Sequence, residues 1–241
     1  MRAALVVAKG TDSLMPAISV ANPKGGAGKT TLTFILAGEL ARIGASVVVI
    51  DADPNAIIAK WGRRREEEGK DQPFQIVATP KESELVKVID TLTAAHDFVL
   101  IDLEGTASRM TSRAFARSHL VLIPFNLSPI DAELAANAVA LIHEEAEAMG
   151  RTIPYRLVRS RDNAAIETKT AKRITAAIRD AELPLLEKGL VERAAYRDVF
   201  DFACTLEELS QDRTSGLDAA KKNAFEMTRA VVEAVKAEIA R

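Results

Sequence analysis

This sequence predicts an α/β fold: a doubly wound, mostly parallel sheet with helices flanking both faces. Three observations carry that expectation. Short apolar, β-branched runs alternate with long helix-like stretches, the pattern of successive βαβ units. Two of those runs, Val47-Val48-Val49-Ile50 and Phe98-Val99-Leu100-Ile101, are continuously apolar. Strands that do not alternate are buried on both faces, as in a sheet covered by helices on each side. The chain's 241 residues, 48% apolar and 27% charged, suit one domain with a sizeable core.

The elements follow in order. Residues 1–14 hold only a short apolar patch at 3–8 and no clear cleavage site, so they are read as an appendage without a fold role. The domain is taken as 15–241, opening with Met15-Pro16 directly before the first strand. Strands are expected at 17–22, 46–50, 74–78, 97–102, 119–124 and 154–159. Helices are expected between them at about 29–43, 56–68, 82–95, 108–117, 130–149 and 168–182, with a closing helix at 217–240. The charge run Arg63-Arg64-Arg65-Glu66-Glu67-Glu68 reads as the solvated end of the second helix. No run approaches the ~20 apolar residues needed to span a bilayer.

Chemistry enters where the first strand ends. It runs straight into Lys24-Gly25-Gly26-Ala27-Gly28-Lys29-Thr30-Thr31, and a helix follows. Glycines let backbone N–H groups close around phosphate oxygens, and the helix N-terminus adds partial positive charge. Lys29 supplies a point charge to the β- and γ-phosphates, and the Thr30 hydroxyl is placed to ligate Mg²⁺. The general phosphate-loop pattern has glycine at position 23, where this chain has Pro23; it carries instead the more restrictive form K-G-G-x-G-K-[ST].

Two acidic motifs follow in chain order. The second strand ends in Asp51-Ala52-Asp53-Pro54-Asn55, and the fourth in Asp102-Leu103-Glu104-Gly105. Carboxylates at strand ends facing a phosphate loop can hold Mg²⁺ through water and orient an attacking water. Each motif alone could merely cap a loop or helix.

These residues resemble the ParA/MinD family of deviant-Walker ATPases, built on the P-loop NTPase fold. The resemblance runs from about Ala17 to Leu209 and includes the segment Ile123-Pro124-Phe125-Asn126-Leu127-Ser128-Pro129-Ile130-Asp131 after the fifth strand. It is strongest to short ParA-type partition proteins and to the virulence-C ATPases of T-DNA transfer; Asp53 to Trp61 and Val191 to Phe200 suggest that subgroup. The resemblance implies ATP hydrolysis with Mg²⁺, a homodimer formed on ATP binding, and an activating partner protein. Lys24 would reach across the dimer to the partner's nucleotide. Lys29 would bind the β- and γ-phosphates, Thr30 Mg²⁺ and Thr31 the α-phosphate. Gly25, Gly26, Ala27 and Gly28 would supply the loop. Asp53 would position the attacking water, with Asp51 and Asp102 in the metal's outer shell. Pro124, Asn126, Ser128 and Pro129 would lie beside the adenine. Many relatives have D-x-P-P after the fourth strand; Gly105 in this chain is expected to make that switch more flexible.

Charge and composition narrow the role. Net charge is -2, yet residues 151–200 hold 11 Lys/Arg against 7 Asp/Glu, a local balance of +4. Arg156, Arg159, Arg161, Lys169, Lys172, Arg173 and Arg179 fall there. A solvated helix face would look the same; the resemblance favours non-specific duplex DNA binding. The one cysteine, Cys204, fits a cytoplasmic location and argues against an iron–sulfur reductase on this scaffold, since even an intersubunit four-thiolate cluster needs two cysteines from each protomer. A MinD-like role on a membrane would need a terminal basic amphipathic helix. Phe225, Val232, Val235 and Ile239 have helical spacing, but Glu226, Glu233 and Glu238 interrupt the polar side, so packing on the domain is expected and no membrane partner.

Overall fold

The computed structural model describes residues 15–78, 80–105, 108–162 and 168–240. The expected appendage, residues 1–14, lies outside the described residues. All seven strands are parallel, in the order β3-β2-β4-β1-β5-β6-β7. They are β1 (Ala17–Val20), β2 (Val47–Asp51), β3 (Gln75–Ala78), β4 (Phe98–Asp102), β5 (Leu120–Phe125), β6 (Tyr155–Asp162) and β7 (Leu190–Val191). The helices are α1 (Lys29–Arg42), α2 (Ile57–Glu67), α3 (Leu85–Thr93), α4 (Arg109–Phe115), α5 (Pro129–Met149), α6 (Lys169–Asp180), α7 (Ala195–Asp201) and α8 (Leu217–Ile239).

Alternate residues of each central strand enter two separate cores, which is why the runs are continuously apolar. Val47, Val49, Phe98 and Leu100 face α1, α2, α7 and α8. Val48, Ile50, Val99 and Ile101 face α3, α4, α5 and α6. The closing helix packs as expected, burying Ala220, Ala224, Met227, Val231 and Val235 against the first of these cores.

The six expected strands are present. β7 and α7 are additions that the sequence reading lacked. A two-residue strand has no periodicity to detect, and α7 spans seven residues without a side-chain cap. β6 also runs further than expected, to Asp162, through an irregularity at Ser160/Asp162 where Arg161 adopts φ 55°. The 82–95 helix begins as a single 3₁₀ turn, Glu82–Glu84, before α3.

α2 is anchored to α7 and the loop after it. Trp61 donates its indole N–H to the Val199 carbonyl at 3.0 Å, and its ring packs edge-on against Phe34 and stacks with Phe74. The buried Arg65 forks onto Glu208 at 2.6 and 2.8 Å and lies over the Trp61 ring. The two stretches singled out for the subgroup resemblance, 53–61 and 191–200, therefore meet in space.

Candidate nucleotide site

Parallel sheets open their ligand crevice at the carboxyl ends of strands, where the winding direction reverses. Here that point is β1, flanked by β4 on one side and β5 on the other. The segment from Asn22 to Gly28 follows β1 and leads into α1, so the phosphate loop occupies the reversal point. Its turns rest on Gly26 at φ 76° and Gly28 at φ 97°. Gly28 has a second requirement: a Cβ there would stand 2.3 Å from Ser160 Oγ on β6. An alanine there would combine a left-handed backbone with a clash that the Ser160 hydroxyl must turn away from.

Lys29 is buried, 6% exposed, with its ammonium 3.2 Å from the Asn22 carbonyl oxygen and 3.1 Å from that of Lys24. Burial lowers its pKa, opposed by the nearby Asp102, Asp53 and Glu104. A buried cation that borrows two loop carbonyls is positioned to exchange them for phosphate oxygens.

The two strand-end carboxylates are in register on adjacent strands, Asp51 opposite Asp102, and both are fully buried. Asp51 Oδ2 accepts from the Ala59 N–H at 2.8 Å, tying it to α2. Asp102 Oδ1 is 3.4 Å from the Thr33 hydroxyl, and Thr30 also bonds to this carboxyl. Among the described residues, Asp51 Oδ1 and Asp102 Oδ2 have no hydrogen-bond partner. Burial pushes the Asp102 carboxyl up to about 7, with Asp51 and Asp53 adding to the rise; burial raises Asp51 as well. Two buried carboxylates with orphaned oxygens beneath a threonine hydroxyl form a donor set that fits a hydrated Mg²⁺.

Asp53 stands at the rim, where its Oδ1 accepts from the Asn55 N–H at 2.8 Å in a tight turn. Ala56, three residues on, sits at φ 47°, a left-handed conformation costly for a residue with a Cβ.

The loop after β5 does not stand off from the phosphate loop; it is bonded to it. Asn22 donates through Nδ2 to the Pro124 carbonyl at 2.8 Å and accepts from the Lys24 N–H at 2.8 Å. The Lys24 ammonium lies 2.8 Å from Asp131 Oδ1. Ser128 caps α5, accepting from the Asp131 N–H at 3.2 Å and donating to Asp131 Oδ2. Burial raises the Asp131 carboxyl, but the bonds from Lys24 and Ser128 outweigh it, and the net direction is down. Asn126 Oδ1 is buried without a partner among the described residues. On the opposite flank a pocket opens between Gly28, Thr31, Ser160, Arg161, Leu190 and Tyr196. The residues of β7 and α7 in that pocket were not anticipated, because neither element was legible.

The basic window divides. Arg156 pairs with Glu238 at 2.6 Å, and Arg159 bonds the Glu187 carbonyl and lies 3.6 Å from Asp162. Both make contacts within the chain, with side chains 20% and 27% exposed. Arg161, Lys169, Lys172, Arg173 and Arg179 are exposed. On α6 the buried residues Ala171, Ile174 and Ile178 form one face, and the four cations lie on the other.

The family described as VirC1 protein matches residues 15–239. The chain belongs to the VirC1 family. This VirC1-family chain is also 36% identical over 219 residues to Protein ParA of Rhizobium radiobacter, covering 90% of this chain and 96% of that one. Among solved structures, apo McdA from Cyanothece superposes with a TM-score of 0.72 at 17% identity, covering 90% of this chain and 99% of that one. The septum site-determining protein MinD of Pyrococcus horikoshii OT3, complexed with Mg-ADP, gives 0.61 at 17% identity, covering 90% and 94%. The VirC1-family chain thus has the ParA/MinD fold and is homologous to ATPases of that class. No helix among its described residues is long and apolar enough to cross a membrane.

Proposed function

We propose that this chain hydrolyses ATP with Mg²⁺ and acts as a dimerising switch that positions or segregates DNA, or a DNA-transfer complex, through nucleotide-controlled non-specific DNA binding. The observation that carries it is the convergence on one loop of two lysines, Lys24 and Lys29, with two buried, incompletely bonded carboxylates behind them. Lys29 and the loop N–H groups hold the β- and γ-phosphates. Thr30 would hold Mg²⁺, with Asp102 and Asp51 behind it through water. When bound, that ion neutralises phosphate charge. Asp53, at the rim, orients the attacking water.

We assign the nucleoside end of ATP to the pocket beside Gly28 and Thr31. The loop from Pro124 to Pro129 then serves differently, because through Asp131 just beyond it the chain holds the second lysine. Lys24 is about one-third exposed, so it is available to a second copy of the chain once its bond to Asp131 is exchanged. No comparable support exists for a membrane role, since the apolar face of α8 is spent in the core.

The DNA surface is the exposed face of α6 with Arg161. A monomer offers one such patch and a dimer two, and linked weak contacts raise avidity by about 10²–10⁴ when both engage. The test is retention of random-sequence duplex DNA at low salt with ATP, with ADP and without nucleotide. Retention with ATP alone, falling steeply as salt rises, supports the reading. No retention under any condition refutes it.

A further inference from the structure

A second cavity lies at the amino ends of the strands, where the nucleotide reading has no use for it. It holds about 380 Å³ between the turn before β5, the turn before β6 and the end of α8. That volume is in the range of small-molecule sites. The phosphate loop is at the other end of the sheet, roughly 20 Å away along the six residues of β5.

The polar lining of this cavity is rich in donors. The Ala17 N–H donates to His119 Nδ1 at 3.0 Å. A neutral imidazole that accepts at Nδ1 carries its proton on Nε2. Among the described residues nothing accepts that Nε2–H. Burial, and then the charge of Arg151, lower the His119 pKa, so the ring is neutral at pH 7. Arg151 itself has no carboxylate partner among the described residues; its Nη2 donates to the Phe115 carbonyl at 2.9 Å. Arg117 donates through Nε to Asp90 at 2.9 Å, a pair open to water on both sides and therefore weak. Its terminal nitrogens remain for another acceptor. The acid in the lining, Glu238, is 8% exposed and bonded to Arg156 at 2.6 Å, so its charge is already balanced. Ala116, Pro154 and Ile239 add apolar wall.

Two guanidinium groups and an imidazole N–H around one cavity leave a surplus of positive charge and of donors. Guanidinium forks match the oxygens of phosphate, and the apolar wall leaves room for the group that a phosphate is attached to. We propose that this cavity binds a small phosphorylated molecule, held by Arg117, Arg151 and the His119 Nε2–H. The site is separate from that of the nucleotide and does not rest on that reading.

The test titrates inorganic phosphate into the full chain and follows the His119 ring nitrogens by long-range ¹H–¹⁵N spectroscopy. The chain has three histidines, and His119→Gln assigns the signal. The readout is local, so phosphate held by the loop after β1 does not enter it. The expected result is a saturable shift of His119 Nε2 with phosphate and none with chloride at the same ionic strength. Arg151→Gln and Arg117→Gln should each weaken the phosphate response about tenfold, the loss of one charge-assisted contact. If Arg151→Gln fails to fold for want of its bond to α4, Arg117→Gln decides, because its partner Asp90 is exposed. No shift, a shift that chloride reproduces, or a saturable shift undiminished in the folded variants overturns the inference. A shift with random-sequence duplex DNA but not with phosphate also overturns it, and makes the cavity part of a nucleic-acid surface.

Discussion

Lys24 and Asp131 lie 2.8 Å apart, nitrogen to oxygen, across 107 positions of sequence, and this bond ties the phosphate loop to the start of α5. Asp131 is almost fully buried and Lys24 is not. A charge offered to a second subunit must first leave this partner. On the proposed cross-subunit role of Lys24 the bond opposes dimerisation, and the two sides of the pair predict opposite phenotypes.

Lys24→Ala should keep nucleotide binding, because Lys29 and the loop N–H groups remain, and should lose ATP-dependent dimers. Asp131→Asn keeps the size and polarity of the residue but weakens its hold on Lys24. It should shift dimer formation to lower ATP concentration, by roughly the 1 kcal/mol of a partly exposed ion pair, or about fivefold. Sedimentation across an ATP titration checks both, and equal dimer populations in wild type and Lys24→Ala would remove the cross-subunit role.

Lys29→Ala should weaken ATP binding at least about tenfold, since a charge-assisted contact to phosphate is lost. Without nucleotide it should cost little stability, because burial already disfavours the Lys29 cation. Calorimetric titration and thermal unfolding of the same preparation separate the two effects.

Asp102 predicts a pH dependence. Its folded carboxyl is raised to about 7 by burial, whereas an unfolded aspartate ionises near 3.9. Stability contributed by the protonated form is complete below about pH 4 and is lost as pH rises to about 7, a fall on the order of a few kcal/mol. Asp102→Asn should flatten that part of the nucleotide-free stability profile and unfold at higher temperature than wild type at pH 8. It should also weaken Mg²⁺-dependent nucleotide binding. Thermal unfolding at pH 5 and pH 8 measures the slope; equal slopes in wild type and variant would contradict it.

Much of this site was legible in the sequence because its parts are contiguous: the phosphate loop, the strand-end aspartates and the loop after β5 each occupy one short segment. What was not legible depends on distant neighbours. Nothing local marks Arg156 and Arg159 as engaged by Glu238 and Asp162, so they read as surface cations. Gly105 reads as a flexible glycine until Pro23 and Lys29 are seen against it. β7 and α7, which line the pocket beside Gly28, are too short to carry a period. The continuous apolar strands needed no such context, because burial on both faces is a property of each strand alone.

The proposed DNA surface predicts a contrast within the basic window. Replacing Arg161, Lys169, Lys172 and Arg173 together with Glu should abolish DNA retention and leave ATP-dependent dimers intact. Arg156→Ala should instead lower thermal stability, because it leaves the buried Glu238 without that partner, with little effect on DNA. Filter binding and thermal unfolding of both variants distinguish the roles.

The central claim is that ATP, and not ADP, joins two copies of this chain, and Asp53 allows the most direct measurement. Asp53→Ala should bind ATP without turning it over, so the ATP-bound state persists. Light scattering of that variant with Mg²⁺ should report a dimer with ATP and a monomer with ADP. A monomer with both nucleotides, or the same dimer with both, would contradict the account.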